Sequence, residues 1–98
     1  MRLAGLAASL GRVASSARSP SGSERVQEML EECQYLIEWT AAELKPEEAE
    51  ELVNMQVLIA LWRSAWETAQ EDPVQRVLLS TVAKQWSDRA LAYSGLLD

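Results

Sequence analysis

The chain has 98 residues and a net charge of −6, so it has room for one domain and lacks the basic surface that binding to free nucleic acid requires. A single cysteine excludes an internal disulfide, and the absence of histidine excludes a Cys/His metal site and a histidine general base. No apolar stretch approaches the ~20 residues that a membrane-spanning helix needs.

Residues 1–22 combine a helical apolar stripe with three arginines and no acidic residue. Their end, Ser19-Pro20-Ser21-Gly22-Ser23, has the composition of a linker. We therefore predict a basic, disordered or weakly helical tail, and expect a chain that starts at Gly22 to keep its thermal stability. The apolar stripe of this tail follows the spacing of an amphipathic helix and consists of Leu3, Leu6, Ala7, Leu10, Val13, Ala14 and Ala17.

Three interpretations of this tail stay open. Its basic, acid-free pattern is typical of an organelle transit peptide, which would be removed near residues 18–23. The others are a disordered extension, including one produced by a wrongly assigned upstream start codon, and a weak membrane-surface helix. The expected compartment is the cytoplasm for a bacterial chain and a mitochondrion or plastid for a eukaryotic one.

The folded body is predicted over residues 23–98, and its first helix over 23–43. Ser23 is a suitable N-cap, and the helix should end before Lys45-Pro46, because the residue that precedes a proline disfavours helix. Cys33 lies within the apolar stripe, so we interpret it as a small core residue and not as a reactive thiol. The stripe consists of Val26, Met29, Leu30, Cys33, Leu36, Ile37 and Thr40.

The second helix is predicted over residues 46–70, with Pro46 at its first position. Apolar residues surround most of its circumference, which is typical of a helix that is covered on several sides. We therefore predict that it is the central helix, with a polar strip of Gln56, Arg63 and Glu67 facing outward. The predicted core arc consists of Met55, Leu58, Leu61, Trp62, Ala65 and Ala69, widened by Val57, Ile59 and Trp66.

The third helix is predicted over residues 73–94, with Asp72 as N-cap and Gly95 as C-terminal cap. Arg89 is expected either to pair with a glutamate of the first body helix or to lie at a wet edge. Short connections favour antiparallel neighbours, so the predicted fold is an all-α, three-helix antiparallel bundle. The apolar stripe of the third helix consists of Val74, Leu78, Leu79, Val82, Trp86, Ala90 and Tyr93.

Two groups of apolar residues are left over when this bundle is assembled. Tyr35 and Trp39 lie one turn apart on the outer face of the first body helix, unless the third helix or the following turn covers them. Val53, Val57 and Leu61 are the remainder of the second helix. Apolar area of this kind on a small protein usually contacts another chain, so we predict that these five residues bind a partner. The partner is another protein or a second copy of the chain.

The function predicted from the sequence is that of a non-enzymatic interaction module: a small subunit, an adaptor or an assembly factor. We predict no catalytic, cofactor-binding or metal-binding residues, since the sequence has no Gly-rich phosphate loop and no Ser-His-Asp or Cys-His set. The alternative is an acidic inhibitor that occupies a basic site of a nucleic-acid-handling protein. Its acidic surface would be the ten glutamates between Glu24 and Glu51.

Overall fold

The computed structural model describes residues 2–94, which form four α-helices and no strand. Helix α1 spans Arg2–Ala17, α2 Val26–Ala41, α3 Pro46–Ala69 and α4 Pro73–Ser94, and a short 3₁₀ turn at Ser23–Arg25 precedes α2. The predicted all-α class is confirmed. The predicted cap at Gly95 lies outside the described residues.

Helix α1 is part of the folded body, so the prediction of a tail beside a three-helix bundle is wrong. It packs against both α2 and α4, whereas α3 packs mainly against α2. Every residue of the stripe predicted for this segment is buried. The Ala-, Ser- and Gly-rich composition that suggested a linker allows α1 to approach its neighbours closely. The buried residues that α1 contributes are Leu3, Leu6, Ala7, Leu10, Val13, Ala14 and Ala17.

Two buried serines of α4 fix its register on α1. Ser87 Oγ donates to the carbonyl of Ala7 at 2.8 Å, and Ser80 Oγ donates to the carbonyl of Ala14 at 2.6 Å. The later residue of α4 meets the earlier residue of α1, so the two helices are antiparallel. We call this pair of contacts the serine seam. It satisfies both hydroxyls in a dry interface, where an unpaired hydroxyl would be costly.

The connection between α1 and α2 is a tight turn and not a flexible linker. Ser23 N donates to Ser19 O at 2.9 Å, and the indole Nε1 of Trp66 donates to Ser23 O at 2.7 Å. A Cβ atom at Gly22 would lie 2.7 Å from the Ser16 carbonyl oxygen, which leaves room only for glycine. Ser23 Oγ donates to Pro20 O and caps no helix, so the predicted N-cap is wrong. By contrast, Asp72 caps α4 as predicted, by accepting from Val74 N.

Helix α3 is turned differently from the prediction. Two of the three residues of its polar strip contact α2: Gln56 Nε2 donates to Gln34 O at 3.4 Å, and Arg63 Nη1 donates to Gln34 Oε1 at 3.0 Å. Glu67, the third, is exposed as predicted. Leu58 and Leu61, assigned to the core from the sequence, are therefore exposed. Since α3 lies at the edge of the bundle, only a narrow face of it is covered. The residues buried on that face are Leu52, Met55, Ile59 and Trp66.

Candidate functional site

Helices α3 and α4 are in contact at their two ends and separated between them. The short turn at residues 70–72 joins them at one end. At the other end, Arg89 Nε donates to Glu51 Oε1 at 2.6 Å, and the Tyr93 hydroxyl donates to the second carboxylate oxygen of Glu51. Arg89 therefore pairs with a glutamate of α3 and not with the helix predicted from the sequence. Elsewhere the two helices make few contacts.

An apolar groove of about 260 Å³ lies in this separation, and we call it the α3/α4 groove. The indole rings of Trp62 and Trp66 meet edge to face with centroids 6.3 Å apart. Because Trp66 is completely buried, this contact joins the groove to the hydrophobic core. The residues that line the groove are Leu58, Leu61, Trp62, Ala65 and Gln75.

The groove belongs to a larger exposed surface, the apolar face, which includes large side chains of both helices. Leu61 is 61% exposed, Leu58 47%, and Val74 at the start of α4 71%. Large apolar residues scattered singly on a surface are ordinary, but a group of them on one face marks a contact site. The exposed members of the apolar face are Val53, Val57, Leu58, Leu61, Val74 and Leu78.

The five partner-binding residues predicted from the sequence are all exposed, but they form two separate groups. Val53, Val57 and Leu61 belong to the apolar face. Tyr35 and Trp39, which are 54% and 56% exposed, lie on the outer face of α2. The polar contacts that join α2 to α3 run between the two groups, and they include the ion pair of Arg63 Nη2 with Glu31 Oε2 at 3.5 Å.

Sequence reasoning missed three residues of this surface: Leu58, Val74 and Leu78. Each fits the apolar spacing of its helix, which is the signal for core, and each is exposed because α3 and α4 stay apart. One signal could have found them. The apolar residues of α3 surround more of the helix than two neighbours can cover.

Four acidic residues lie at the ends of the apolar face, and we call them the rim acids. Glu47 precedes Leu58, and Glu50 precedes Leu61, by about three helical turns. Each glutamate therefore lies on the same side of α3 as that leucine. Glu71 and Asp72 lie in the exposed turn at the opposite end. Within residues 2–94, none of these four carboxylates is in an ion pair. The ends of the apolar face therefore carry negative charge that no ion pair among the described residues offsets, although Asp72 caps α4 and Glu71 lines a cavity with Arg76.

Cys33 is a buried free thiol, in agreement with the interpretation from the sequence. Burial raises its pKa from 9.0 to about 12; the Glu32 carboxylate adds to the rise, and the Arg12 guanidinium opposes it. The thiolate required for nucleophilic chemistry is therefore not populated at neutral pH. Among the described residues, no group of three or more acidic, cysteine or histidine side chains is placed to hold a metal ion.

A second cavity, of about 430 Å³, lies between the end of α1 and α4 and differs from the groove in character. Arg18 Nε donates to Ser80 Oγ at 2.8 Å there, and Lys84 Nζ is 2.6 Å from Asp88 Oδ1. Both cations have partners, and no large apolar side chain of the described residues lines this cavity. The apolar face is the stronger candidate for a functional surface.

No family model, curated protein or solved structure matches this chain in the comparisons with known proteins. In residues 2–94, no helix has the length and hydrophobicity to cross a membrane.

Proposed function

We propose that the chain is a non-enzymatic protein-interaction module whose binding surface is the apolar face of α3 and α4. The observation that supports this most is the set of six large apolar side chains exposed on α3 and α4, of which Leu58 and Leu61 line the groove. Burying such side chains against a partner is worth ~1.5–3 kcal/mol for each one that becomes fully covered. The module would act as a subunit, an adaptor or an assembly factor.

The test is a double substitution in the apolar face, Val57→Glu/Leu61→Glu, made in the full chain. Both side chains are exposed, so helicity and thermal midpoint should stay within a few degrees of the wild type. Self-association, measured by equilibrium sedimentation, or the capture of a native partner should be lost. Tyr35→Glu is the control, because Tyr35 is also exposed but lies on the outer face of α2. A double variant that keeps every association of the wild type would contradict the proposal.

The second candidate function is that of an acidic inhibitor, and the surface of α2 favours it. Tyr35 and Trp39 are exposed there beside the exposed carboxylates of Glu28, Glu32 and Glu38. Such a surface would fit a basic site of a nucleic-acid-handling protein. Inhibition driven by these charges should weaken steeply with salt, whereas docking through the apolar face should not. Substitution of Tyr35 and Trp39 should abolish inhibition and leave the apolar face unaffected.

The compartment of the protein depends in part on whether α1 is a removable transit segment. We infer that α1 stays on the mature protein in any compartment, because removal near residues 18–23 would take away seven buried apolar residues. A helix with so large a share of the core is a poor candidate for a removable transit segment. Mass spectrometry of the N-terminus of the mature protein checks this inference. A chain found to begin after Arg18 would contradict it.

A further inference from the structure

The shape of the α3/α4 groove restricts what can bind in it. All described residues that line it belong to helices, whose backbone N–H and C=O groups are already paired, so a partner strand would find no edge to extend. Contact must therefore be made through side chains. Leu58, Leu61 and Ala65 follow the i, i+3, i+7 spacing by which one helix packs against another. From Val53 to Ala65 the apolar stretch covers ~18 Å of helix axis.

The charges at the ends of the groove select among such partners. Glu47 and Glu50 lie at one end of the apolar stretch, and Glu71 and Asp72 lie at the other. Arg89, a basic residue of the α3/α4 contact at the first end, is already held by Glu51 at 2.6 Å. A partner with basic residues at both ends would compensate the rim acids. A second copy would bring the same acids and another charge of −6 to the contact.

We infer that the α3/α4 groove binds an amphipathic α-helix of another protein, with an apolar stripe of about three turns flanked at both ends by lysine or arginine. This inference rests on the proposed function and specifies the partner of the same surface. The apolar stripe supplies the affinity by covering Leu58 and Leu61. The flanking charges set the position of the helix along the groove and speed its association.

The probe for the test is a synthetic helix-forming peptide of about 18 residues, ~27 Å long, with leucine at i, i+3 and i+7 positions and lysines at both ends. A second peptide carries glutamates in place of the lysines, and a third has the first composition in a shuffled order. Isothermal titration calorimetry with the full chain should show binding of the first peptide at least about tenfold tighter than of either control, a difference of ~1.4 kcal/mol.

Two variant pairs locate the site of binding. Leu58→Ala/Leu61→Ala should weaken binding of the lysine peptide by at least about tenfold. Its matched control, Tyr35→Ala/Trp39→Ala on the outer face of α2, should change it less than about twofold. Glu47→Gln/Glu50→Gln should weaken binding several-fold at low salt and flatten its salt dependence, because these variants remove the charge attraction and leave the apolar contact in place. The corresponding pair on α2, Glu28→Gln/Glu38→Gln, should change neither the affinity for the lysine peptide nor its salt dependence.

Three results would overturn the inference. They are equal binding of the lysine and glutamate peptides, an equal loss in the control variants, and a dimer in equilibrium sedimentation that Leu61→Glu converts to monomer. The last result would replace the partner helix by a second copy and keep the proposed interaction surface. The proposed function itself fails only if substitutions in the apolar face alter no association of the chain.

Discussion

Helix α4 packs against two neighbours in two different ways. On the α1 side, the contact is made by small residues and closed by the serine seam, with Ser80, Ala83, Ser87 and Ala90 all buried. On the α3 side, large side chains stay half-exposed: Leu58 lines the groove, and Leu78 lies outside it on α4. Small residues allow the axes of two helices to approach, whereas large ones need a deeper partner surface to be covered. Hydrophobicity alone therefore does not identify the core of this bundle. We call the α1 side of α4 its close side and the α3 side its open side.

Removal of α1, which packs against the close side of α4, should reduce stability more than any single substitution. A chain that starts at Gly22 lacks α1, which contributes seven of the nineteen buried apolar residues. The total stability of a small domain is ~5–15 kcal/mol, so this loss should abolish cooperative unfolding. Circular dichroism during heating is the measurement. A shortened chain whose thermal midpoint stayed within a few degrees of the full chain would show that α1 is dispensable, as its composition had suggested.

Substitution of two adjacent residues of α3 compares the stability that its buried face and its groove face contribute. Ile59 is fully buried, so Ile59→Ala should destabilise by ~2–5 kcal/mol. Leu58→Ala, which removes a similar volume from the groove, should cost less than about 1 kcal/mol, since Leu58 is half-exposed. Urea denaturation of the two variants measures both changes. Equal losses would mean that the groove is closed in solution.

The turn after α1 gives a test with glycines. A Cβ at Gly22 would lie 2.7 Å from a backbone oxygen, whereas one at Gly5 would meet nothing within 4 Å. Gly22→Ala should therefore destabilise by ~1–3 kcal/mol, the usual cost of overpacking. Gly5→Ala, in the exposed part of α1, should stabilise by up to ~1 kcal/mol through helix propensity. Thermal midpoints that move in the same direction would contradict this account of the turn.

The pKa of Cys33 reports how dry the core is around α2. Burial raises this pKa in the folded chain to about 12 from its ordinary value of 9.0, so the folded state keeps its proton after the unfolded chain has lost it. The stability that this thiol contributes is complete below pH 9 and falls by ~1.4 kcal/mol per pH unit as the pH rises toward 12. Denaturation curves at pH 9 and 10 measure how the free energy of unfolding changes with pH. The same curves for Cys33→Ala give the contribution of all other titrating groups. If the free energy of unfolding falls equally with pH in the wild type and in Cys33→Ala, water reaches the thiol in the folded chain.

The smallest expected effect concerns the serine seam. Ser87→Ala removes one hydrogen bond to a carbonyl that already accepts within its own helix, so it should destabilise by ~1 kcal/mol. The matched control is Ser64→Ala on α3, whose side chain is exposed and should be near neutral. Chemical denaturation resolves a difference of this size. A larger loss for Ser64 than for Ser87 would reverse the assignment of close and open sides.

The sequence predicts helices in this chain better than it predicts their neighbours. The apolar stripe of α1 was found residue by residue, because helical spacing is a local property. Its place in the core was missed, because the small residues that suggested a linker are suited to close packing. Asp72 was found as a cap from local chemistry alone. The orientation of α3 was missed, because the spacing of Gln56 and Arg63 cannot show that they face α2.

The sequence predicts only part of the candidate surface, because spacing along one helix is a local property and the contacts between helices are not. Val53, Val57 and Leu61 are exposed because α3 carries more apolar residues than two neighbours can cover, which the sequence shows. Leu58, Val74 and Leu78 could not be found in this way. Their exposure depends on the separation of α3 and α4, which follows from how α1 and α2 position those helices.

The serine seam also has a consequence for the order in which the protein forms during synthesis. Its two contacts join residues 66 and 80 positions apart, so α1 cannot reach its final partner until α4 has been made. At ~5–20 residues per second, this delay is roughly 4–16 s, during which the stripe of α1 is without that cover. Helices α3 and α4 follow one another directly, but the separation between them depends on how α1 and α2 position them. The binding surface is therefore complete only once α4 has packed against α1.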